Sequence, residues 1–311
     1  MIRFPVIITL LSLCSCASSS FEKSVPPVAE KVTPPAVTGS LRLTYSGTLG
    51  TQGEIRAPWG ISFGVDGTLY VCDRDKSSVV RLNGSGEIIS RFDSFTNRTE
   101  RLYAPIDVCS SSGIEIYAVD ASDSRVLRFD RNLKNGYTIY RGGADQTKLF
   151  GSFNGIAYDK ISGDLYITDR DTGAVIRIDM LGRSIRTMGA FGSRDKSLRE
   201  PAGLDVDPDG ILYIADTKMG AVAVVRNFGA HINYIGGDAL EAPVDAVVMD
   251  GGNIAVADSR GVVVFNPKGA AAAFAGYGVD RIMKPHSVAY KDGKLYISDG
   301  ASASILVYTV E

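Results

Sequence analysis

The chain has 311 residues, 45% of them hydrophobic and 22% charged, with 34 glycines. That is the make-up of a turn-rich globular domain, long for one ordinary unit but within the range of a closed all-β ring. Its 33 basic and 35 acidic residues leave a formal net charge of -2, which argues against nucleic acid as a partner and against a polyelectrolyte tail.

In chain order, the first element is "MIRFPVIITLLSLCSC", a lone Arg3 followed by an apolar stretch from Phe4 to Leu13. It is too short to span a bilayer and is built like a secretory signal. Its end, Leu13-Cys14-Ser15-Cys16, resembles the lipobox of bacterial lipoproteins. The resemblance implies a signal peptide over residues 1–15 and lipid on Cys16, because Ser15 is small where Leu13, ahead of Cys14, is bulky. It also implies a place in the cell envelope, with contact to the membrane through the lipid anchor only. Ala17 rather than an aspartate after the cysteine points, by the same resemblance, to the outer membrane, facing the periplasm or the cell surface. Residues 16–40 carry two Pro-Pro pairs and few aromatics, so they bury too little to order themselves and read as a flexible tether. At about 3.1 Å per residue it would reach on the order of 70 Å. No later run approaches eighteen apolar residues, so no other segment is expected to cross a membrane.

From residue 41 onward the sequence repeats. Six segments align on a closing aspartate: "PWGISFGVDGTLYVCD" (58–73), "PIDVCSSSGIEIYAVD" (105–120), "FNGIAYDKISGDLYITD" (153–169), "PAGLDVDPDGILYIAD" (201–216), "PVDAVVMDGGNIAVAD" (243–258) and "PHSVAYKDGKLYISD" (285–299). The aspartates are Asp73, Asp120, Asp169, Asp216, Asp258 and Asp299, spaced 47, 49, 47, 42 and 41 residues apart. Each copy reads as an alternating strand, a turn with Asp-Gly, Ser-Gly or Gly-Gly, and a second strand rich in Tyr, Ile and Val. A third strand recurs as "SVVRLN", "RVLRFD", "AVIRID", "AVAVVR", "GVVVFN" and "SILVYT", and a fourth as in "GEIISRF". Four antiparallel strands in 40 to 50 residues make one blade, and six blades predict an all-β, six-bladed β-propeller over residues 41–311. The closing aspartates are expected to cap the turn into the third strand through backbone N–H groups.

The sixth copy has three strands before Glu311, while "LRLTYSGTLGTQGEIRAP" (41–58) matches the fourth-strand stretches. The N-terminal strand is therefore expected to complete the last blade and close the ring, so deleting residues 41–49 would destabilise all of it. The repeats resemble NHL repeats, of the form P-x-G-[IV]…G-x-[IL]-Y-[VI]-x-D. That resemblance implies the fold but not a function, since propellers host lyases, lactonases and binding modules alike.

The residue after the leading position in each copy marks the channel mouth: Trp59, Ile106, Asn154, Ala202, Val244 and His286. Pro-His-Ser at His286 resembles the propeller lyase that cleaves peptidyl-hydroxyglycine, a family whose inner-strand histidines hold zinc. A catalytic zinc site takes about three protein ligands, yet the chain has two histidines, and His231 falls in an outer strand. Asp107 and Asp245 share one slot in blades two and five, facing each other across a six-fold channel. Asn154 resembles the asparagine in the calcium site of gluconolactonase-like propellers, so Asp107, Asn154 and Asp245 are the candidate ligands for Ca2+ in the channel. The bland alternative is that the two aspartates bond to the backbone at their own strand starts. Trp59 and His286 lie in adjoining blades, and together with Asp107, Asn154 and Asp245 they form a candidate binding site for a peptide or small polar ligand. Cys72 and Cys109 fall in adjacent blades and read either as a disulfide or as two buried thiols. No nucleophile elbow and no phosphate-cradling glycine loop is present. The expected function is a non-enzymatic scaffold, monomeric and without a cofactor, that binds an envelope protein or peptide. The rival is a calcium-dependent hydrolase or lactonase.

Overall fold

The computed structural model describes residues 34–39, 41–50, 53–93, 100–143, 151–189, 198–276 and 280–311. The expected signal segment, the expected lipidation site Cys16 and the expected tether up to residue 33 lie outside them.

Strand β1 (Leu43–Leu49) comes first. Blade one follows as β2 (Pro58–Phe63), β3 (Leu69–Asp73), β4 (Ser78–Leu82) and β5 (Ile88–Asp93). Blade two is β6 (Pro105–Ser110), β7 (Glu115–Asp120), β8 (Arg125–Asp130) and β9 (Tyr137–Arg141). Blade three is β10 (Phe153–Tyr158), β11 (Leu165–Asp169), β12 (Ala174–Ile178) and β13 (Ser184–Met188). Blade four is β14 (Pro201–Val206), β15 (Leu212–Asp216), β16 (Ala221–Arg226) and β17 (His231–Ile235). Blade five is β18 (Pro243–Val248), β19 (Ile254–Asp258), β20 (Gly261–Phe265) and β21 (Ala271–Gly276). Blade six is β22 (Pro285–Lys291), β23 (Lys294–Asp299) and β24 (Ser304–Val310). The blades are six separate four-stranded antiparallel sheets, and β1 supplies the fourth strand of blade six.

This is the six-bladed β-propeller that the repeat predicts, closed as expected. β1 runs antiparallel to β24 from Leu43 opposite Val310 to Leu49 opposite Ile305, with one irregularity between Tyr45 and Gly47. Just outside it, Arg42 and Glu311 exchange a pair of backbone hydrogen bonds at 2.8 and 3.0 Å. The chain therefore enters and leaves the ring on one rim, the rim opposite the one where each inner strand begins. Before β1, the end of the tether is held: the Thr38 N–H donates to the Ala271 carbonyl at 3.0 Å. β21 is the outer strand of its blade, and its free edge offers a carbonyl that the passing chain satisfies. Thr38, within the span expected to be a flexible tether, thus contacts the ring.

The second and third strands of every blade are the most buried because they are covered on both faces by neighbouring blades; β3, β11, β19 and β20 are buried at every position. Val, Ile, Leu, Ala and Tyr fill these layers, as in the group of Tyr117, Val119, Ile156, Ile167 and Ile176 between blades two and three. Burying each large aliphatic side chain contributes roughly 1.5–3 kcal/mol.

The six closing aspartates are fully buried and do more than was expected of them. Each accepts the two backbone N–H groups that lead into the first strand of its own blade, as Asp299 does from Met283 at 2.8 Å and Lys284 at 2.7 Å. Five of them also cap the turn into the third strand, as Asp169 does with Thr172 N–H at 3.0 Å. Every copy thus pins the arriving chain above its own blade, which fixes where the mouth residues sit.

Cys72 and Cys109 are both free and buried, not disulfide-bonded. Cys72 packs with Phe92 and Leu127 between blades one and two; Cys109 packs with Tyr117 and Ile156 towards blade three. Desolvation holds both thiols well above the ordinary range, so neither is a ready nucleophile.

Candidate functional site

An inner strand of a propeller blade has an unpaired edge towards the channel, and its N–H and C=O groups need partners. Here each of the six seams is bridged by a side chain. Ser110 Oγ donates to the Phe63 carbonyl at 2.6 Å between blades one and two. Asp107 accepts the Ile156 N–H at 2.7 Å between blades two and three. Thr168 Oγ1 donates to the Ala202 carbonyl at 2.7 Å, and Asp205 accepts the Val248 N–H at 2.9 Å. Asp245 accepts the Val288 N–H at 3.0 Å, and Ser287 Oγ accepts the Ile61 N–H at 3.3 Å, which closes the belt.

The second oxygen of each aspartate turns back onto its own strand. Asp107, Asp205 and Asp245 accept the N–H of Val108, Val206 and Ala246 at 2.9, 2.8 and 2.8 Å. The aspartates do bond to the backbone of their own strands, and they clamp the next blade as well. Glycine precedes two of them around the ring for a steric reason. A Cβ on Gly60 would stand 2.3 Å from Asp107 Oδ1, and one on Gly203 would stand 2.1 Å from Asp245 Oδ1.

Burial first, and then the facing Asp245, push Asp107 well above the usual carboxylate range. Burial also raises Asp245, with Asp205 adding repulsion, and pushes Asp205 up to about 6. Asp107 and Asp245 line both halves of the channel and form its waist. The wider half, about 390 Å3, opens on the rim where the chain enters the ring, past Asp205, Tyr158, Lys160, Tyr290 and Lys291.

The narrower half, about 220 Å3, is the mouth. Trp59, Ile106, Asn154, Ala202, Val244 and His286 all line it, so the slot read from the six copies is one ring of residues in space. The structure brings all five candidate site residues together there. Trp59 and His286 stack, with ring centroids 4.4 Å apart and planes at 29°. The Arg74 guanidinium lies 4.5 Å from the centre of the Trp59 ring, within the range of a cation–π contact. His286 Nδ1 lies 2.9 Å from the Pro58 carbonyl; a carbonyl only accepts, so Nδ1 carries the proton and the neutral ring keeps its lone pair on Nε2. Burial lowers the His286 pKa, and the cations Lys284 and Arg74 lower it further against the pull of that hydrogen bond.

Sequence reasoning missed Arg170, Glu200 and Thr217, which also line the mouth, as well as Arg74 and Asp205. Arg74, Arg170 and Thr217 each follow a closing aspartate directly, and that shared position is the signal that would have found them. Asp205 is the fifth residue of its copy, and the fifth residues of all six copies, Ser62, Cys109, Ala157, Asp205, Val247 and Ala289, line the wider half of the channel. His231 begins β17, the outer strand of blade four, away from the mouth as expected.

Calcium takes six to eight oxygens. Both oxygens of Asp107 and both of Asp245 are already engaged by backbone N–H groups, and among the described residues no three His, Cys, Asp or Glu side chains are grouped to hold a metal ion. The two carboxylates thus already serve the backbone, while Asn154, the third expected ligand, lines the same mouth.

No family model and no curated protein matches the chain. Solved structures do match in fold. A streptogramin B lyase aligns with a TM-score of 0.63 at 14% identity, over 87% of this chain and 98% of that one. A putative gluconolactonase aligns with a TM-score of 0.65 at 17% identity, over 86% and 94%. The PQQ-bound aldose sugar dehydrogenase of Streptomyces coelicolor aligns with a TM-score of 0.60 at 18% identity, over 90% and 100%. Proteins of such different chemistry share this ring, so the likeness carries the fold alone.

Proposed function

We propose that this chain is a binding module of the cell envelope, anchored by lipid on Cys16, that takes a peptide or a small polar ligand at the mouth around Trp59 and His286. One observation carries the reading. All six slot residues converge on one mouth that offers a stacked aromatic pair under a guanidinium, while the carboxylates below it are spent on closing the ring. Aromatic surface next to hydrogen-bonding groups is the usual make-up of a ligand pocket. The competing reading, a calcium-dependent hydrolase or lactonase, draws on the likeness to a putative gluconolactonase and finds no matching donor set at the waist.

Trp59 is the only tryptophan in the chain, so intrinsic fluorescence reports on the mouth alone. Pools of short peptides are expected to change its emission saturably, and His286→Ala is expected to weaken that response. Calcium-dependent turnover of lactones or esters, lost in Asp107→Ala, would overturn the proposal in favour of the hydrolase.

A further inference from the structure

Beside the mouth, at the seam of blades one and two, lies a groove of about 460 Å3 whose walls include Arg56, Lys76, Arg91, Arg101 and Tyr103. Among the described residues, its positive charges are not neutralised in place. Lys76 Nζ donates to the carbonyls of Gly53 and Glu54 at 2.7 and 2.6 Å, and Arg91 reaches the Glu54 carbonyl at 3.2 Å and Ser78 Oγ at 3.3 Å. Neither is in an ion pair among the described residues. The Arg56 and Arg101 side chains are exposed and make no hydrogen bond or ion pair there. Asp75 and Asp93 also line the groove, against four cations, which leaves a positive excess. Tyr103 is 51% exposed, and Ser77 Oγ pins its carbonyl at 2.8 Å. Arg125 backs its ring at 5.9 Å, with that guanidinium's own charge met by Glu100 and Asp120.

Two short segments connect the groove to the mouth. Arg56 stands three residues before Trp59. Arg74, over Trp59, and Lys76, in the groove, share one turn. We infer that the ligand of the mouth is an acidic peptide, with aromatic or polar contacts at Trp59 and His286 and its carboxylates held by Arg56 and Arg101. This rests on the proposed binding role of the mouth and names the chemistry of what binds. Free guanidiniums form two-pronged hydrogen bonds with carboxylates. An exposed tyrosine in the same groove suits a peptide, with its apolar groups beside each carboxylate, better than a bare inorganic anion. A net charge of -2 for the whole chain makes this a local feature and not a general attraction to anions.

The test uses the full chain with hexaglutamate, hexalysine and inorganic phosphate as probes, read by Trp59 emission and by calorimetry. Hexaglutamate is expected to bind, hexalysine not to bind, and phosphate to bind far more weakly. Arg56→Glu with Arg101→Glu is expected to weaken hexaglutamate binding by about ten-fold or more with the melting temperature unchanged, since both side chains are exposed. Trp59→Ala separates the two levels. If it abolishes binding while the arginine pair does not, the mouth stands and the acidic-peptide inference falls. If the arginine pair abolishes binding while Trp59→Ala has no effect, the groove binds alone and the reading of the mouth falls. Phosphate binding as tightly as hexaglutamate would overturn the peptide class.

Discussion

The least ordinary residue is His286, because its environment fixes both its tautomer and its charge. The Pro58 carbonyl takes the Nδ1 proton, Trp59 covers one face, and burial lowers the pKa. A histidine whose folded value lies below its unfolded one binds fewer protons when folded, so it favours folding above the unfolded value and loses that contribution as pH falls from there through the folded value. An imidazolium quenches a stacked indole, so the emission of Trp59 is expected to drop on acidification with a midpoint below about 6.5. In His286→Asn the step should vanish; a midpoint at or above the ordinary histidine value would contradict the buried neutral ring. Pro-His-Ser and Pro-Trp-Gly made the pair legible in sequence, since equal slots of adjoining blades must be neighbours. Arg74 was not legible as its partner, because it arrives from a turn fifteen residues further on and only the third dimension stacks it on Trp59.

At the level of the strand, the inner edges explain which residues line the channel. An unpaired edge amide is costly when buried, and the belt of Ser110, Asp107, Thr168, Asp205, Asp245 and Ser287 gives each seam one partner. Asp245→Ala strips the Val288 N–H of its acceptor and is expected to lower stability by roughly 1–3 kcal/mol, read by chemical denaturation. Gly203→Ala is expected to cost a similar amount, roughly 1–3 kcal/mol, because its methyl must displace the Asp245 carboxylate; an unchanged midpoint in both would mean the belt is incidental. The strands and their order could be read from the alternating copies and their closing aspartates, and the closure by β1 from an orphan fourth strand. The bonds of Asp107 and Asp245 to their own strand starts could be expected as well, but their grip on the next blade could not. Their partners are backbone amides 49 and 43 residues away, and an amide leaves no mark in a sequence, whereas two opposed carboxylates suggest a cation.

At the scale of the whole ring, the same carboxylates link stability to pH. Asp205, raised to about 6 by burial, holds protons in the folded chain that the unfolded chain has released. The stability this contributes is present in full below about 4 and is lost as pH rises through about 6. Asp107 and Asp245, raised for the same first reason, act in the same direction. The melting temperature is expected to fall between about pH 4 and pH 7, and to fall less in Asp205→Asn; a rise over that window would mean that the channel carboxylates stay charged and compensated. The ring also separates its faces, with the chain ends on one rim and the mouth on the other, which the repeat made legible as soon as β1 was assigned to the last blade. The basic groove beside the mouth was not legible, because Arg56, Lys76, Arg91 and Arg101 come from four separate stretches of blades one and two and the approach to them.

If the channel carboxylates close the ring and leave the mouth free for a ligand, thermal unfolding of the full chain with calcium or with chelator will show it. A ligand held only by the folded state stabilises it by mass action, by about 2.7 kcal/mol at a hundred-fold excess over its dissociation constant, and so raises the midpoint. The midpoint is expected to be the same with calcium and with chelator, and lower under both conditions for Asp107→Asn with Asp245→Asn. A midpoint that climbs with calcium in the parent chain but not in that variant would contradict it and make the waist a metal centre.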